Sequence, residues 1–214
     1  MKADTKEARR EELKAKKYAY VQEELLAAAA ALFAERGYRA VAIDDIAESV
    51  GSAKSVIYYY FKSKNEILWK IFTKIYDSYF EMVSSALGLN LGPRETMRQI
   101  IINHAVKVTQ QTSWTAIYFR EERELDEQQR ELITMRKRKY DAAIEEVYRK
   151  GVQEGVFRDM PPHIVVSGIM GMCNWLYTWF REGGAYTTSE VAECYASLLS
   201  EGYLVGPAIR PQPA

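Results

Sequence analysis

Six side chains between Lys54 and Lys64 are the best equipped for chemistry in this 214-residue chain: Lys54, Ser55, Tyr58, Tyr59, Tyr60 and Lys64. Lysine ammonium groups meet phosphates as point charges, tyrosine and serine hydroxyls reach phosphates or base edges, and tyrosine rings pack on thymine methyls. A short segment this polar, basic and aromatic is poor core material. It suits the major groove of duplex DNA, which admits one helix and presents donors and acceptors on base edges. The competing reading is that the tyrosines pack a seam between two domains. One helical face cannot bury three consecutive residues, so that reading is weak for the run and stays open for Tyr58 alone.

Presenting those side chains requires a helix, a turn and a second helix over Ile43 to Lys64. Ile43, Ile46, Ala47 and Val50 recur at i, i+3, i+4 and i+7, the apolar face of a short helix. Gly51 is the permissive turn residue, and Ser52 can cap the second helix. Val56 and Ile57 then face inward, which leaves Lys54, Ser55, Tyr58, Tyr59 and Tyr60 outward. Phe61 returns to the core, and Lys62-Ser63-Lys64 opens another helix.

The stretch from Ala42 to Leu68, AIDDIAESVGSAKSVIYYYFKSKNEIL, resembles the DNA-binding segment of TetR-type transcriptional regulators. Ile46, Ala47, Gly51, Tyr58, Tyr59, Phe61, Lys64 and Leu68 stand at the matching positions, without a gap. Ala29 to Tyr38, AAALFAERGY, fits the family's first helix. Ala42 departs, since the family usually has there a threonine that caps the second helix and touches phosphate; one expected phosphate contact is thereby lost. Ser52 replaces an apolar residue, Ser55 a glycine and Tyr60 a histidine. The resemblance implies an all-α protein with a three-helix head and a helical body. It also implies a homodimer, a double-stranded DNA operator and a small-molecule effector held in the body.

Composition agrees with an all-helical, non-membrane protein. Six prolines in the whole chain, 48 % hydrophobic content and no strand-like alternation argue for helices. No apolar run approaches the roughly 18 residues of a membrane span, and the charged start lacks the apolar core of a signal peptide. Cys173 and Cys194 have no metal-ligand spacing, so reduced thiols in a cytoplasmic protein are expected. Net charge is zero, but residues 1–64 carry 12 Lys and Arg against 10 Asp and Glu, and residues 65–214 carry 17 against 19. Residues 2–17 mix seven cations with four acids. They read either as a solvated extension or loose arm, or as an arm that touches phosphate or the minor groove.

The chain divides into an arm and head over residues 1–64, an effector-binding and dimerisation body over 65–206, and a loose Pro-rich tail over 207–214. Helices are expected over Tyr18–Arg36, Asn65–Leu87, Pro93–Thr112, Ser113–Glu124, Asp126 to Gly151 or Gly155, His163–Arg181 and Glu190–Leu204. The first body helix is a lever between head and body. In the long helix that starts at Asp126, Leu132, Met135, Tyr140, Ile144, Val147 and Tyr148 are expected inward. Small and aromatic residues share the last two helices, which are the expected dimer interface.

No Gly-rich phosphate loop, zinc-type cluster or nucleophile motif occurs, and the two histidines lie far apart. An enzyme or a bound cofactor therefore has no residues to rest on. A helical protein-binding adaptor would need the tyrosine run to serve a protein interface. The segment GMCNWLYTWFREGG is similar to the subset of TetR-type regulators that answers to acyl-CoA thioesters, with Asn174, Trp175, Trp179, Phe180, Arg181, Gly183 and Gly184 matching. The expected ligand contacts are Trp114, Tyr118, Phe119, Met135, Tyr140, Met170 and Trp175 as apolar walls. His104, Asn174 and Arg120 would orient a head group, and Arg120, Arg123, Arg136 and Arg138 would meet the phosphates of CoA. The bland alternative is that the aromatics are core and the arginines pair with nearby glutamates. The alternative effector is a drug-like compound, as in efflux-pump regulators; it calls for a carboxylate among the aromatics, and the apolar stripes show none clearly.

Overall fold

The structure, a computed structural model, describes the backbone of residues 2–203 and the side-chain surroundings of residues 9–200. The expected tail lies outside the described residues. Nine α-helices, one 3-10 turn and no strand occur among them.

Helix α1 spans Lys2–Arg36, so the mixed-charge segment continues the helix instead of leaving it as a loose arm. Its second half buries Leu25, Leu26, Ala29, Ala30 and Phe33 against α2 (Ile43–Ser49) and α4 (Lys64–Gly88). Helix α3 (Lys54–Tyr60) hangs on one fully buried side chain, Ile57, with Phe61 closing the core behind it. Each such burial contributes about 1.5–3 kcal/mol.

Two local expectations change at the turn. Helix α2 stops at Ser49, leaving Val50 in the turn, and Ser52 is not the cap of α3. That position falls to Ala53, which has no side-chain acceptor; the Ser52 N–H instead donates to the Ala47 carbonyl at 2.9 Å. Gly51 sits at φ +63°, a region an L side chain rarely adopts. At the start of α2 the Asp45 carboxylate accepts the Ala42 N–H at 2.6 Å, which compensates for a capping position without an oxygen.

Helix α4 is capped by Ser63, whose hydroxyl accepts the Glu66 N–H at 3.1 Å. It runs from the head into the body, burying Ile67, Leu68, Ile71, Phe72, Ile75 and Tyr79 along one stripe. Helix α5 (Pro93–Gln110) is the hub of the body and packs on α4, α7, α8 and α9. Helix α6 (Thr112–Arg120) and the 3-10 turn Glu122–Glu124 lead into α7 (Glu127–Gln153), capped by Asp126. Helices α8 (Pro162–Trp179) and α9 (Thr188–Tyr203) complete the body.

Helix phase corrects three expectations. Tyr140, Ile144, Val147 and Tyr148 of α7 are buried, and Ile133 completes their stripe. At 3.6 residues per turn Met135 lies about 140° around the helix from Tyr140, and Leu132 about 80°. Both are exposed, Met135 at 57 %. Trp175 lies about 200° from buried Cys173 on α8 and is 62 % exposed. Beyond α7 the chain reverses tightly: the Gly151 carbonyl accepts Val156 N–H at 2.8 Å and Phe157 N–H at 3.0 Å. The Phe157 ring then lies flat on Gly151, where a Cβ would stand 2.0 Å from ring carbon Cδ2.

Candidate functional site

The outward face of α3 is built as expected at its centre and differently at its ends. Tyr58 and Tyr59 are 50 % and 67 % exposed, and Ser55 is exposed beside them. Tyr60 is partly buried, its ring centroid 4.6 Å from that of Tyr18, so this tyrosine does serve packing. Lys54 is exposed but ion-paired with Asp44 at 2.8 Å. That pair offsets an ammonium placed at the positive end of a helix.

Lys64 as a free phosphate contact is corrected. Its ammonium donates to the carbonyls of Tyr38 at 2.8 Å and Val41 at 2.7 Å, and lies 4.3 Å from the Tyr38 ring centroid. It braces the loop between α1 and α2, and reaching a phosphate would leave both half-buried carbonyls without this donor.

Helix α1 of the head packs on α6 of the body, and polar contacts add to that junction. The Arg39 guanidinium donates to both carboxylate oxygens of Glu124 at 3.0 Å, and the Tyr38 N–H donates to Glu121 Oε1 at 3.4 Å. Asn65 at the start of α4 accepts from Gln129 Nε2 at 3.1 Å. Helix α4 is thus joined by the end of α6 and the 3-10 turn in holding the head.

The body encloses a cavity of about 220 Å³, lined by Ile75, Tyr76 and Tyr79 of α4, His104 of α5, and Thr115, Tyr118 and Phe119 of α6. Lys137, Tyr140 and Asp141 of α7 and Met170 and Asn174 of α8 close it. His104 is buried, with Nε2 2.7 Å from Asn174 Oδ1 and Nδ1 2.7 Å from Tyr140 Oη. An amide oxygen only accepts, so Nε2 carries the proton and Nδ1 accepts the Tyr140 hydroxyl. Both ring nitrogens are used. Burial lowers the His104 pKa to about 4, more than its bond to Asn174 raises it. The phenols of Tyr79, Tyr118 and Tyr140 are raised, mainly by burial, so they and His104 are uncharged at neutral pH. Tyr79 and Thr115 share a hydrogen bond at 3.3 Å.

Six of the expected ligand contacts therefore meet in one cavity: His104, Tyr118, Phe119, Tyr140, Met170 and Asn174. Four do not. Met135 and Trp175 face outward, Trp114 is partly buried outside the cavity beside Ile75, and Arg120 lies at its rim, 5.6 Å from the Tyr177 ring. Arg120, Arg123 and Arg130 line a shallower groove that shares Phe119 with the cavity. Arg123 pairs with Glu124 at 3.7 Å, as the bland alternative holds, while Arg136 pairs with Asp77 of α4 at 3.4 Å.

Tyr76, Tyr79, Thr115 and Asp141 also line the cavity without standing out in the sequence as ligand contacts; Lys137 lines it too, from the run Arg136-Lys137-Arg138-Lys139 that reads as a solvated face or as a contact for an anionic ligand group. Asp141 corrects the expectation of no carboxylate there. Half-buried, it is held above the usual carboxylate range first by burial and then by Glu145. Lys137, four residues earlier, pairs with Glu122 at 2.5 Å. Lys137 stands three residues before Tyr140 and four before Asp141, so the three meet on the side of α7 that closes the cavity.

Among the described residues no group of three His, Cys, Asp or Glu is placed to hold a metal. No helix among them is long and apolar enough to cross a membrane. Burial pushes the Cys173 thiol up to about 12, which makes it a poor nucleophile.

Two family models match the chain: bacterial regulatory proteins of the tetR family over residues 25–70, and the tetracyclin repressor-like C-terminal domain over residues 90–203. The HTH-type transcriptional repressor KstR2 of Mycobacterium tuberculosis is 28 % identical over 181 residues, covering 84 % of this chain and 90 % of that protein. The structure of ketosteroid transcriptional regulator KstR2 of Mycobacterium tuberculosis superimposes with a TM-score of 0.81 at 26 % identity, covering 86 % of this chain and 95 % of that one. A structure of AibR in complex with isovaleryl coenzyme A and operator DNA gives a TM-score of 0.75 at 26 % identity, over 83 % of this chain and 96 % of that one.

Proposed function

Since the chain belongs to the TetR family of bacterial regulatory proteins, we propose that it is a homodimeric repressor of a catabolic pathway, released from its operator by an acyl-CoA thioester. Residues 1–64 read DNA, and residues 65–206 hold the effector and the partner subunit. The observation that carries the effector assignment is the cavity wall: aromatic, uncharged at His104 and the tyrosines, and only about 220 Å³ in volume. A site that encloses a whole drug-sized ligand runs to roughly 300–1,000 Å³. This one takes the acyl end of a larger molecule and leaves the rest outside.

With its oxygen engaged by His104, the Asn174 amide keeps two donors for a neutral carbonyl such as a thioester's. A free carboxylate would instead meet Asp141, while Lys137 is already paired with Glu122. The CoA phosphates then fall toward Arg120, Arg123 and Arg130 in the groove beyond Phe119. AibR, seen with isovaleryl coenzyme A and operator DNA, supports the same class. A ligand seated against Tyr118 and Phe119 bears on the end of α6, next to Glu121 and Glu124, which hold Tyr38 and Arg39. Asp141 is the observation that favours the second reading, a regulator answering to cationic drug-like compounds.

Dimerisation is assigned to the outer faces of α8 and α9. Ile164, Met172, Trp175, Trp179 and Leu198 are all exposed there, an apolar patch that marks an interface. Gly168 and Gly171 have open space in front of them. Footprinting tests this reading. It should protect two related half-sites about one helical turn, roughly 34–36 Å, or a multiple apart. A single unrepeated half-site bound by a monomer would contradict it.

A further inference from the structure

The head on its own is poorly supplied with cations for a DNA-binding element. Residues 18–64 hold five Lys and Arg against six Asp and Glu. Three of the five are committed within the protein: Lys54 to Asp44, Lys64 to the Tyr38 and Val41 carbonyls, and Arg39 to Glu124. Affinity for duplex DNA rests largely on phosphate neutralisation. Lys62 and Arg36 alone are a thin supply for it.

The missing charge lies on the first half of α1. Residues 9–17 carry five cations against two acids, a net charge of +3. The extension also leaves the head at a defined place. Tyr18 packs its ring against Tyr59 and Tyr60 of α3, with centroids 5.9 and 4.6 Å apart, and the Gln22 amide donates to the Tyr60 carbonyl at 3.5 Å. One turn before Tyr18, on the same face, stands Lys14. Lys14, Lys17, Tyr18, Tyr59 and Tyr60 line a groove of about 460 Å³, with Glu11 and Ala15. Lys14 and Lys17 are exposed, with no ion pair among the described residues, whereas Lys16 pairs with Glu12 at 2.5 Å. A helix and the major groove are both about 10–12 Å across. The strand flanking a groove that holds α3 therefore passes beside Tyr59, where the extension leaves the head.

We propose that the first half of α1 is a second DNA-contacting element, with Lys14 and Lys17 beside Tyr59 binding duplex phosphates that flank the groove read by α3. This rests on the DNA-binding reading above. The contacts are to backbone, so they add affinity to every sequence alike.

The test is a salt titration of full-length protein on a labelled mixed-sequence duplex. Each phosphate contact contributes about −0.9 to the slope of log affinity against log salt. In a homodimer the Lys14→Ala/Lys17→Ala variant removes four contacts and should lose about 3.6 of that slope, so that between about 50 and about 200 mM salt its affinity falls roughly 150-fold less than the wild type's. Lys14→Arg/Lys17→Arg should keep the wild-type slope, separating lost charge from lost folding. A wild-type slope in the alanine variant, with affinity retained, overturns the proposal and leaves the regulator reading standing. A wild type that shows no salt-dependent duplex binding sinks both.

Discussion

His104 makes the protein lose stability on mild acidification, by an amount the structure sets. Its folded pKa is about 4, against 6.5 for an ordinary imidazole. As pH falls below 6.5 the unfolded chain takes a proton at this site and the folded chain does not. The unfolded state then binds more protons, so stability drops with falling pH until about 4, where both states are charged. The whole difference corresponds to about 3 kcal/mol, since each tenfold change in proton affinity is worth about 1.36 kcal/mol. Between pH 7 and pH 5 the loss due to His104 is about 2 kcal/mol. Urea unfolding followed by circular dichroism at the two pH values, at fixed protein concentration, should show the wild type losing that much more than His104→Gln. The other titrating groups are common to both proteins and cancel in the difference. Equal losses in the two would refute the picture of a buried, neutral imidazole bonded to Tyr140 and Asn174.

Gly151→Ala places a methyl inside the Phe157 ring and should cost about 3 kcal/mol, the upper range of core overpacking; Phe157→Leu in the same chain should recover part of it in a thermal melt. Trp175→Glu puts a charge on the outer face of α8 and should give monomers by analytical ultracentrifugation, with operator affinity lost. Lys64→Ala should lower stability by about 1–3 kcal/mol through its two carbonyl partners while leaving the salt slope of DNA binding unchanged, measured by anisotropy.

The apolar framework of the fold is legible in the sequence because helix periodicity is a property of the chain alone. Ile46, Ile57, Phe61, Leu68 and the α5 stripe fall where their spacing puts them. The cavity is half legible: His104, Tyr118, Phe119, Tyr140, Met170 and Asn174 are inward-phase residues of helices that happen to converge. Met135 and Trp175 mislead because a large apolar side chain suggests burial even where the phase of its own helix turns it outward. Asp141 escapes notice for the opposite reason, being a polar residue at the edge of the inward stripe of its helix. Lys64 shows a different limit. A lysine's partners 23 and 26 residues away are set by tertiary packing, and no local pattern announces them.

The central claim is that a thioester in the aromatic cavity releases the protein from DNA. The direct measurement is release of a labelled operator during titration with a panel of acyl-CoAs, the matching free acids, CoA alone and cationic dyes. The wild type should be released by at least one acyl-CoA and by neither its acid nor CoA. Asn174→Leu, which removes the amide donors from the cavity, should need a far higher concentration of the same thioester while binding operator normally. Release by dyes or free acids, with no response to any thioester, would contradict the effector assignment.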